Sequence, residues 1–393
     1  MKFTIQFMSE GLSFTLTEEQ QAFRASVRRL AEDKIGPRAA EIDEADEYPW
    51  DVDEMLVRNG FAGVSYPEGY GGAGGGALEL CLLVEEISRV SAGVALIPAV
   101  NKLGAIPVLL AGSDEMRKKV CTGITNGDHR MSYCLTEPGS GSDAAAMRSR
   151  AVKDGNDWVL NGSKRFITGA GATDLYTYFA ITDPDGTKGK NITAFLVSKD
   201  MEGFSLGRKE DKMGIRGSPT REVIVEDVRV PAENVIGEVN GGFQIAMRTL
   251  DFSRPTVAAQ ALGIAQGAFD YAVGYCGERK QFGKSIASFQ GMQFMFADMA
   301  MKIETARMAV YRAAVAVDSG ARDVSYWAAI AKCYASDTAM EVTTDCVQAL
   351  GGYGYIKEYP VERFMRDAKI TQIYEGTNQI QRVVLARQIF GKV

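Results

Sequence analysis

The sequence predicts an α+β protein in three successive segments: helices, then strands, then helices. Three observations carry that prediction. Residues 15–128 place apolar side chains at helical spacing, residues 130–240 read as short strands between turn residues, and from Gly242 onward long Ala- and Met-rich stretches are periodic again. This order differs from the alternating strand–helix order of a nucleotide-binding sheet. A chain of 393 residues accommodates two or three domains, and the pattern places them at 1–128, 129–240 and 241–393.

Each segment has local reasons. Thr17, followed three residues later by Gln20, forms a capping box in which side chains and backbone N–H groups satisfy each other. Phe23, Val27, Leu30 and Ala31 follow at helical spacing, and 78–90 and 115–120 read as further helices around a glycine-rich loop at 71–76. In the middle segment, Asp154-Gly155 and Asn161-Gly162 precede strand-like runs. Asn-Gly predicts a hairpin turn there, because a type I′ turn needs positive φ at both central residues. Runs at 175–181, 193–197 and 222–225 add strands. The stretches 299–317 and 327–348 are nearly apolar all round, as helices buried in a bundle or a subunit interface are.

Composition narrows the function. Hydrophobic residues make up 46% of the chain and charged residues 24%, ordinary globular material. A net charge of −6 and a pI near 5.2 argue against a nucleic-acid partner. Met1-Lys2-Phe3-Thr4 begins no signal-peptide core, and the sequence is read as holding no apolar run of membrane-spanning length. Six scattered cysteines without a C-x-x-C pair read as reduced, intracellular thiols serving as small core residues, which predicts a cytoplasmic protein, or one of the mitochondrial matrix if eukaryotic and processed. The single histidine, His129, lies in a polar turn. A His-rich zinc site is excluded, and a Ser-His-Asp triad would rest on that residue alone.

Residues 69–74 match G-x-G-x-x-G, but they lie between helical stretches with Pro67 at the mouth, where a dinucleotide loop would need a strand. Four other segments carry chemistry together. Residues 133–143 run a strand into a Gly/Ser-rich loop able to hold an anion or the edge of a heterocycle. On a strand, Phe166 and Thr168 share one face, setting an aromatic plane beside a hydroxyl. Residues 278–284 put basic side chains and a glycine at a helix end, a phosphate contact or a solvated charge cluster. Residues 348–355 carry a Gly-Gly pair permitting close backbone approach, and 366–379 place Glu375 beside Gly376 in a mostly apolar stretch. A carboxylate in such surroundings has its pKa raised and can act as a base.

In order and spacing, over almost the full chain, these segments resemble the acyl-CoA dehydrogenase family, and 370–381 is most similar to its short- and medium-chain members. The resemblance implies an N-terminal α-helical domain, a central β-barrel-like domain and a C-terminal four-helix bundle. It implies a homotetramer with FAD in each subunit, an acyl-CoA substrate and an electron-transferring flavoprotein as acceptor. Carried over by position, Tyr133, Leu135 and Thr136 would hold the flavin's pyrimidine edge. Ser142 would sit near the FAD phosphates and the CoA, Phe166 would cover one flavin face and Thr168 would bond near N5. Many members have Trp where this chain has Phe166. Arg279, Gln281, Phe282, Gln348 and Gly352 would reach an FAD pyrophosphate of a neighbouring subunit, and Thr377 and Gln379 the adenosine part. Asp251 and Arg254 would bind the CoA portion, with Tyr374 and Gly376 also on the substrate. Glu375 would be the catalytic base. Relatives of the isovaleryl type carry the base immediately before the residue equivalent to Arg254, and here that residue is Ser253. Ala95, Leu96, Pro98 and Ala99 would line the far end of the acyl pocket. An acyl-CoA oxidase or an enoyl-CoA reductase would use the same residues. A non-catalytic binding relative would have lost the base.

Overall fold

The computed structural model describes residues 15–391, so the reading of Met1 to Thr4 lies outside the described residues. Thr17 accepts the Gln20 N–H and the Gln20 side chain accepts the Thr17 N–H, forming the predicted capping box of α1 (Glu18–Leu30). One π turn at 31–35 carries the chain on to α2 (Ala39–Ala45), α3 (Trp50–Arg58) and α4 (Ala77–Ser88). The glycine loop of 69–74 leads into α4, and the first strand among the described residues starts only at Met131, which removes the dinucleotide reading. Next come α5 (Ala92–Ala111) and α6 (Asp114–Asn126).

Helix α5 corrects the expectation that no apolar run reaches membrane-spanning length. Its 20 residues are long and apolar enough by composition, although Pro98 and Pro107 interrupt them. Most of the helix is buried against α4, a strand and a later long helix, so its apolarity is that of a core helix.

The middle segment holds β1 (Met131–Cys134), β2 (Arg150–Asp154), β3 (Asp157–Thr168), β4 (Leu175–Ile181), β5 (Ile192–Ser198), β6 (Phe204–Lys209), β7 (Thr220–Pro231) and β8 (Val235–Ile236). They form one sheet in the order β6-β7-β3-β2-β4-β5-β8, with β1 parallel to β4. Alternation along β4 separates two cores. Tyr176, Tyr178 and Ala180 join Trp158, Phe195 and Val223 inside the sheet's own core, while Leu175 and Phe179 face the helices.

One predicted turn is not a turn. The tight connection of β2 to β3 lies at 155–156, whereas Asn161-Gly162 sits inside β3 as a bulge against β7. The Asn161 side chain explains this: it donates to Asp227 Oδ1 and accepts the Asp227 N–H, both at 2.9 Å. That pairing across the strands lets the chain run straight on, and a bulge accommodates the positive φ of Gly162 without reversing direction.

The last segment is a helical bundle. α7 (Gly242–Glu278) leads through a small hairpin of β9 (Lys280–Gln281) and β10 (Lys284–Ser285) to α8 (Gln290–Asp318) and α9 (Val324–Leu350). α10 (Val361–Thr371) packs on α7 and α9, and α11 (Asn378–Phe390) packs on α9. Gly263 lets α4 lie directly on α7, since a Cβ there would sit 2.2 Å from the Glu85 carbonyl oxygen. All six cysteines are buried and unpaired, as small core residues.

Candidate active site

A cavity of about 460 Å³ lies where α5, the end of β1, the end of β3, α7 and the turn between α10 and α11 converge. On α7 it is lined by Phe243, Met247, Leu250, Arg254 and Val257, whose spacings of three and four residues mark one helical face. On α5 the same rule selects Leu96, Ala99, Val100 and Leu103. Leu96 and Ala99, expected at the acyl pocket, therefore line this cavity. Ala95 and Pro98 do not line the cavity, because at 3.6 residues per turn they fall on other faces of α5.

Glu375 occupies the turn opposite α7. Its φ is +52° and that of Gly376 is +90°, left-handed values costing a non-glycine residue about 1–3 kcal/mol unless the surroundings hold them. Here they do. Arg254 Nε and Gln381 Nε2 donate to the Glu375 carbonyl at 3.4 and 3.2 Å, and Gln381 Nε2 and Lys332 Nζ donate to the Gly376 carbonyl at 2.9 and 2.8 Å. The Ser253 hydroxyl donates to Glu375 Oε2. The Glu375 N–H meets no acceptor among the described residues. The carboxyl lies deep in the protein, and the residue lines the cavity. Burial pushes its pKa up, with Ser253, Arg254 and Lys332 pulling the other way. The arrangement offers a proton acceptor and a free N–H donor side by side.

The opposite wall comes from β1 and β3. Tyr133, Leu135 and Thr136 line it where β1 ends, and Ser142 lines it from the Gly/Ser loop. The loop is anchored by Glu137, which accepts Lys164 Nζ at 2.7 Å and the Ser149 N–H at 3.0 Å. Phe166 and Thr168 both face the cavity, but not by simple strand alternation. The β3–β7 register slips between Lys164 and Ile167, Phe166 takes a φ of +58°, and its ring remains 62% exposed. The hydroxyls of Thr136, Ser142 and Thr168 have no protein partner among the described residues, so all three are available to a ligand. An exposed aromatic plane ringed by free hydroxyls fits a flat heterocycle such as a flavin.

A second, open hollow of about 550 Å³ gathers Arg279, Gln281, Gln348 and Gly352 with Tyr275 and Tyr353. The Arg279 guanidinium lies 5.2 Å from the Tyr353 ring centre. Phe282 forms the tip of the adjoining hairpin, 92% exposed. Arg254 and Arg279 are both carried by α7 and its C-cap. At about 1.5 Å per residue, the 25 residues between them separate the two clusters by roughly 38 Å.

Besides Phe282, three of the expected FAD and CoA contacts line neither hollow. Thr377 caps α11 by accepting the Ile380 N–H, Gln379 is exposed on the first turn of that helix, and Asp251 is tied to Arg254 at 2.6 Å and to Ser325. Asp251 thus braces Arg254 instead of reaching into the cavity. Lys332, Gln381 and Gln260 were missed in the sequence. Only Gln260 had a legible signal, the continuation of the α7 face three residues beyond Val257.

Three family models cover the described chain: acyl-CoA dehydrogenase N-terminal domain over residues 17–128, middle domain over 132–228 and C-terminal domain over 240–390. The chain belongs to the acyl-CoA dehydrogenase family. A probable acyl-CoA dehydrogenase of Mycobacterium leprae, fadE25, is 53% identical over 96% of both chains. The solved butyryl-CoA dehydrogenase of Megasphaera elsdenii superposes with a TM-score of 0.93 at 45% identity, over 96% of this chain and all of the other. A chain from structural work on the electron transferring flavoprotein of Acidaminococcus fermentans and flavin-based electron bifurcation superposes with a TM-score of 0.94 at 47% identity, over 97% and 100%. The acyl-CoA dehydrogenase fold thus confirms the predicted helical, sheet and helical-bundle order.

Proposed function

We propose that this acyl-CoA dehydrogenase desaturates a short acyl-CoA thioester between its α and β carbons, with Glu375 as the base. The observation that carries the reading is the Glu375 turn, a buried carboxyl beside its own unengaged N–H, facing a wall of aromatic ring and free hydroxyls. Glu375 takes the α proton, and its N–H donates to the thioester oxygen as negative charge builds there. Leu135, Thr136, Ser142, Phe166 and Thr168 would hold FAD, which supplies the acceptor for the β hydrogen and its electron pair. Apolar residues of α5 and α7 line the cavity around the proton transfer.

A short acyl group is favoured by a polar contact among the residues that line the cavity. The Tyr374 hydroxyl donates to Gln260 Oε1, and Gln260 Nε2 donates to the Ala92 carbonyl at 3.0 Å, a polar bar across the apolar slot. The separation of the two hollows along α7 supports an FAD shared by two subunits, with Arg279, Gln281, Phe282, Gln348 and Gly352 on the neighbour's pyrophosphate. An exposed stripe on α8, with Phe294, Met301, Met308 and Val315 at seven-residue spacing, supports the packing of subunits into a homotetramer. Electrons then leave to an electron-transferring flavoprotein.

The test is Glu375→Gln in the FAD-loaded enzyme, followed by flavin bleaching with butyryl-CoA. Loss of the base should slow bleaching by about 10²–10⁴-fold with FAD retained. Near-normal bleaching would overturn the assignment. Rapid oxygen consumption by the substrate-reduced enzyme would favour an oxidase.

A further inference from the structure

We propose that Lys332 is a positioning residue for the base: its buried ammonium staples to α9 the turn that presents Glu375 to the cavity. The proposal rests on the reading of Glu375 as base.

Lys332 is fully buried in the middle of α9, where an unpaired lysine would be strongly disfavoured. It does not line the cavity, so contact with substrate is not its role. Its Nζ donates to the Gly376 carbonyl at 2.8 Å and to Asn378 Oδ1 at 3.0 Å. The Asn378 amide is oriented for this, because its Nδ2 donates to Ser336 Oγ at 2.9 Å and Asp337 Oδ1 at 2.7 Å. The Asn378 N–H closes the turn on the Gln372 carbonyl at 3.0 Å, and Gln372 Nε2 returns to Asp337 Oδ1 at 2.7 Å. The turn is thus held at both ends by α9, with Lys332 at its centre. Removing the ammonium leaves the Gly376 carbonyl with Gln381 alone and frees the left-handed Glu375 to relax toward ordinary φ.

The ammonium also acts by charge. Facing it are Glu375 on the turn, Arg254 on α7, and Cys333 and Asp337 on α9, with Arg382 of α11 paired to Asp337. Burial lowers the Lys332 pKa to about 8, against the attraction of Glu375. The same attraction pulls the Glu375 pKa down, so a neutral residue at 332 lets it rise.

The test uses FAD-loaded Lys332→Met, Lys332→Gln and Lys332→Arg, with Glu375→Gln alongside. Lys332→Met should lower kcat by about 10²-fold through misplacement of the base, with KM within a few-fold and flavin content unchanged. Its acidic limb in kcat/KM should move to higher pH, and the isotope effect with α-deuterated substrate should rise as proton abstraction becomes limiting. Lys332→Gln keeps a donor without the charge, so it should recover part of kcat but not the limb. Lys332→Arg should recover both in part. If Lys332→Met does not fold, Lys332→Gln carries the test through the shifted limb. Wild-type kcat, limb and isotope effect in Lys332→Met or Lys332→Gln, with Glu375→Gln inactive, would overturn the proposal and leave the base assignment standing. An active Glu375→Gln would remove the base assignment itself.

Discussion

Ser253, on α7, donates its hydroxyl proton to the carboxylate of Glu375, which lies on the turn between α10 and α11. The position that would carry the base in isovaleryl-type relatives therefore serves here as a partner of the Glu375 carboxylate. The hydroxyl stabilises the charged form and opposes the upward pull of burial. Ser253→Ala should move the acidic limb of kcat/KM to higher pH while leaving the rate on the alkaline plateau within about tenfold, one lost hydrogen bond's worth. A pH–rate profile of the two enzymes checks it, and an unmoved limb would count against the contact.

The Lys164–Glu137 pair is buried on both sides and anchors the loop bearing Ser142. Burial lowers the Lys164 pKa, with Glu137 opposing, and Lys164 together with backbone N–H groups keeps Glu137 below the usual carboxylate range despite its burial. Lys164→Met strands a carboxylate, and breaking such a pair costs about 3–5 kcal/mol. Denaturant unfolding should show the loss, and flavin absorbance should show weaker FAD retention.

Gln260→Ala removes the polar contact in the cavity proposed for the acyl group and leaves the Tyr374 hydroxyl without its acceptor. Each methylene admitted to an apolar pocket is worth about 1–3 kcal/mol in kcat/KM. With two more methylenes, the ratio of hexanoyl-CoA to butyryl-CoA activity should rise by about thirtyfold or more, and steady-state kinetics on the two substrates decides it.

Asp367 gives the fold a pH dependence near neutrality. Burial raises its pKa to about 7, with Asp43 adding to the effect and the Ile215 N–H, Arg363 and Arg366 opposing it. The folded protein binds this proton more tightly than the unfolded chain, whose carboxylates titrate near 3.9. Its contribution to stability is full below that unfolded value and is lost as pH rises through about 7. Wild-type Tm should fall between pH 5 and pH 8, and Asp367→Asn should flatten that fall. Calorimetry at the two pH values is the measurement.

Met301→Glu with Met308→Glu places two charges in the exposed α8 stripe. Sedimentation should show smaller assemblies with an unchanged helical spectrum, and flavin content should fall if FAD spans two subunits. An unchanged sedimentation coefficient would count against this face as the proposed subunit interface.

Sequence by itself determined the helix–strand–helix order, the α1 capping box and the pairing of Glu375 with a following glycine. Each is written within a window of a few residues, in periodicities and caps the backbone must obey. Asn161-Gly162 marks the limit of such windows, since a side-chain exchange with Asp227, 66 residues away, turned a hairpin signal into a bulge. The resemblance does not show the partners of Asp251 and Thr377, which the fold ties to Arg254 and to the Ile380 N–H. Only the tertiary structure decided what surrounds Glu375. Ser253 reaches Glu375 across 122 residues and Lys332 reaches Gly376 across 44. A carboxyl's proton affinity depends on the charges and donors packed around it, and their distances exist only once the helices that carry them have docked.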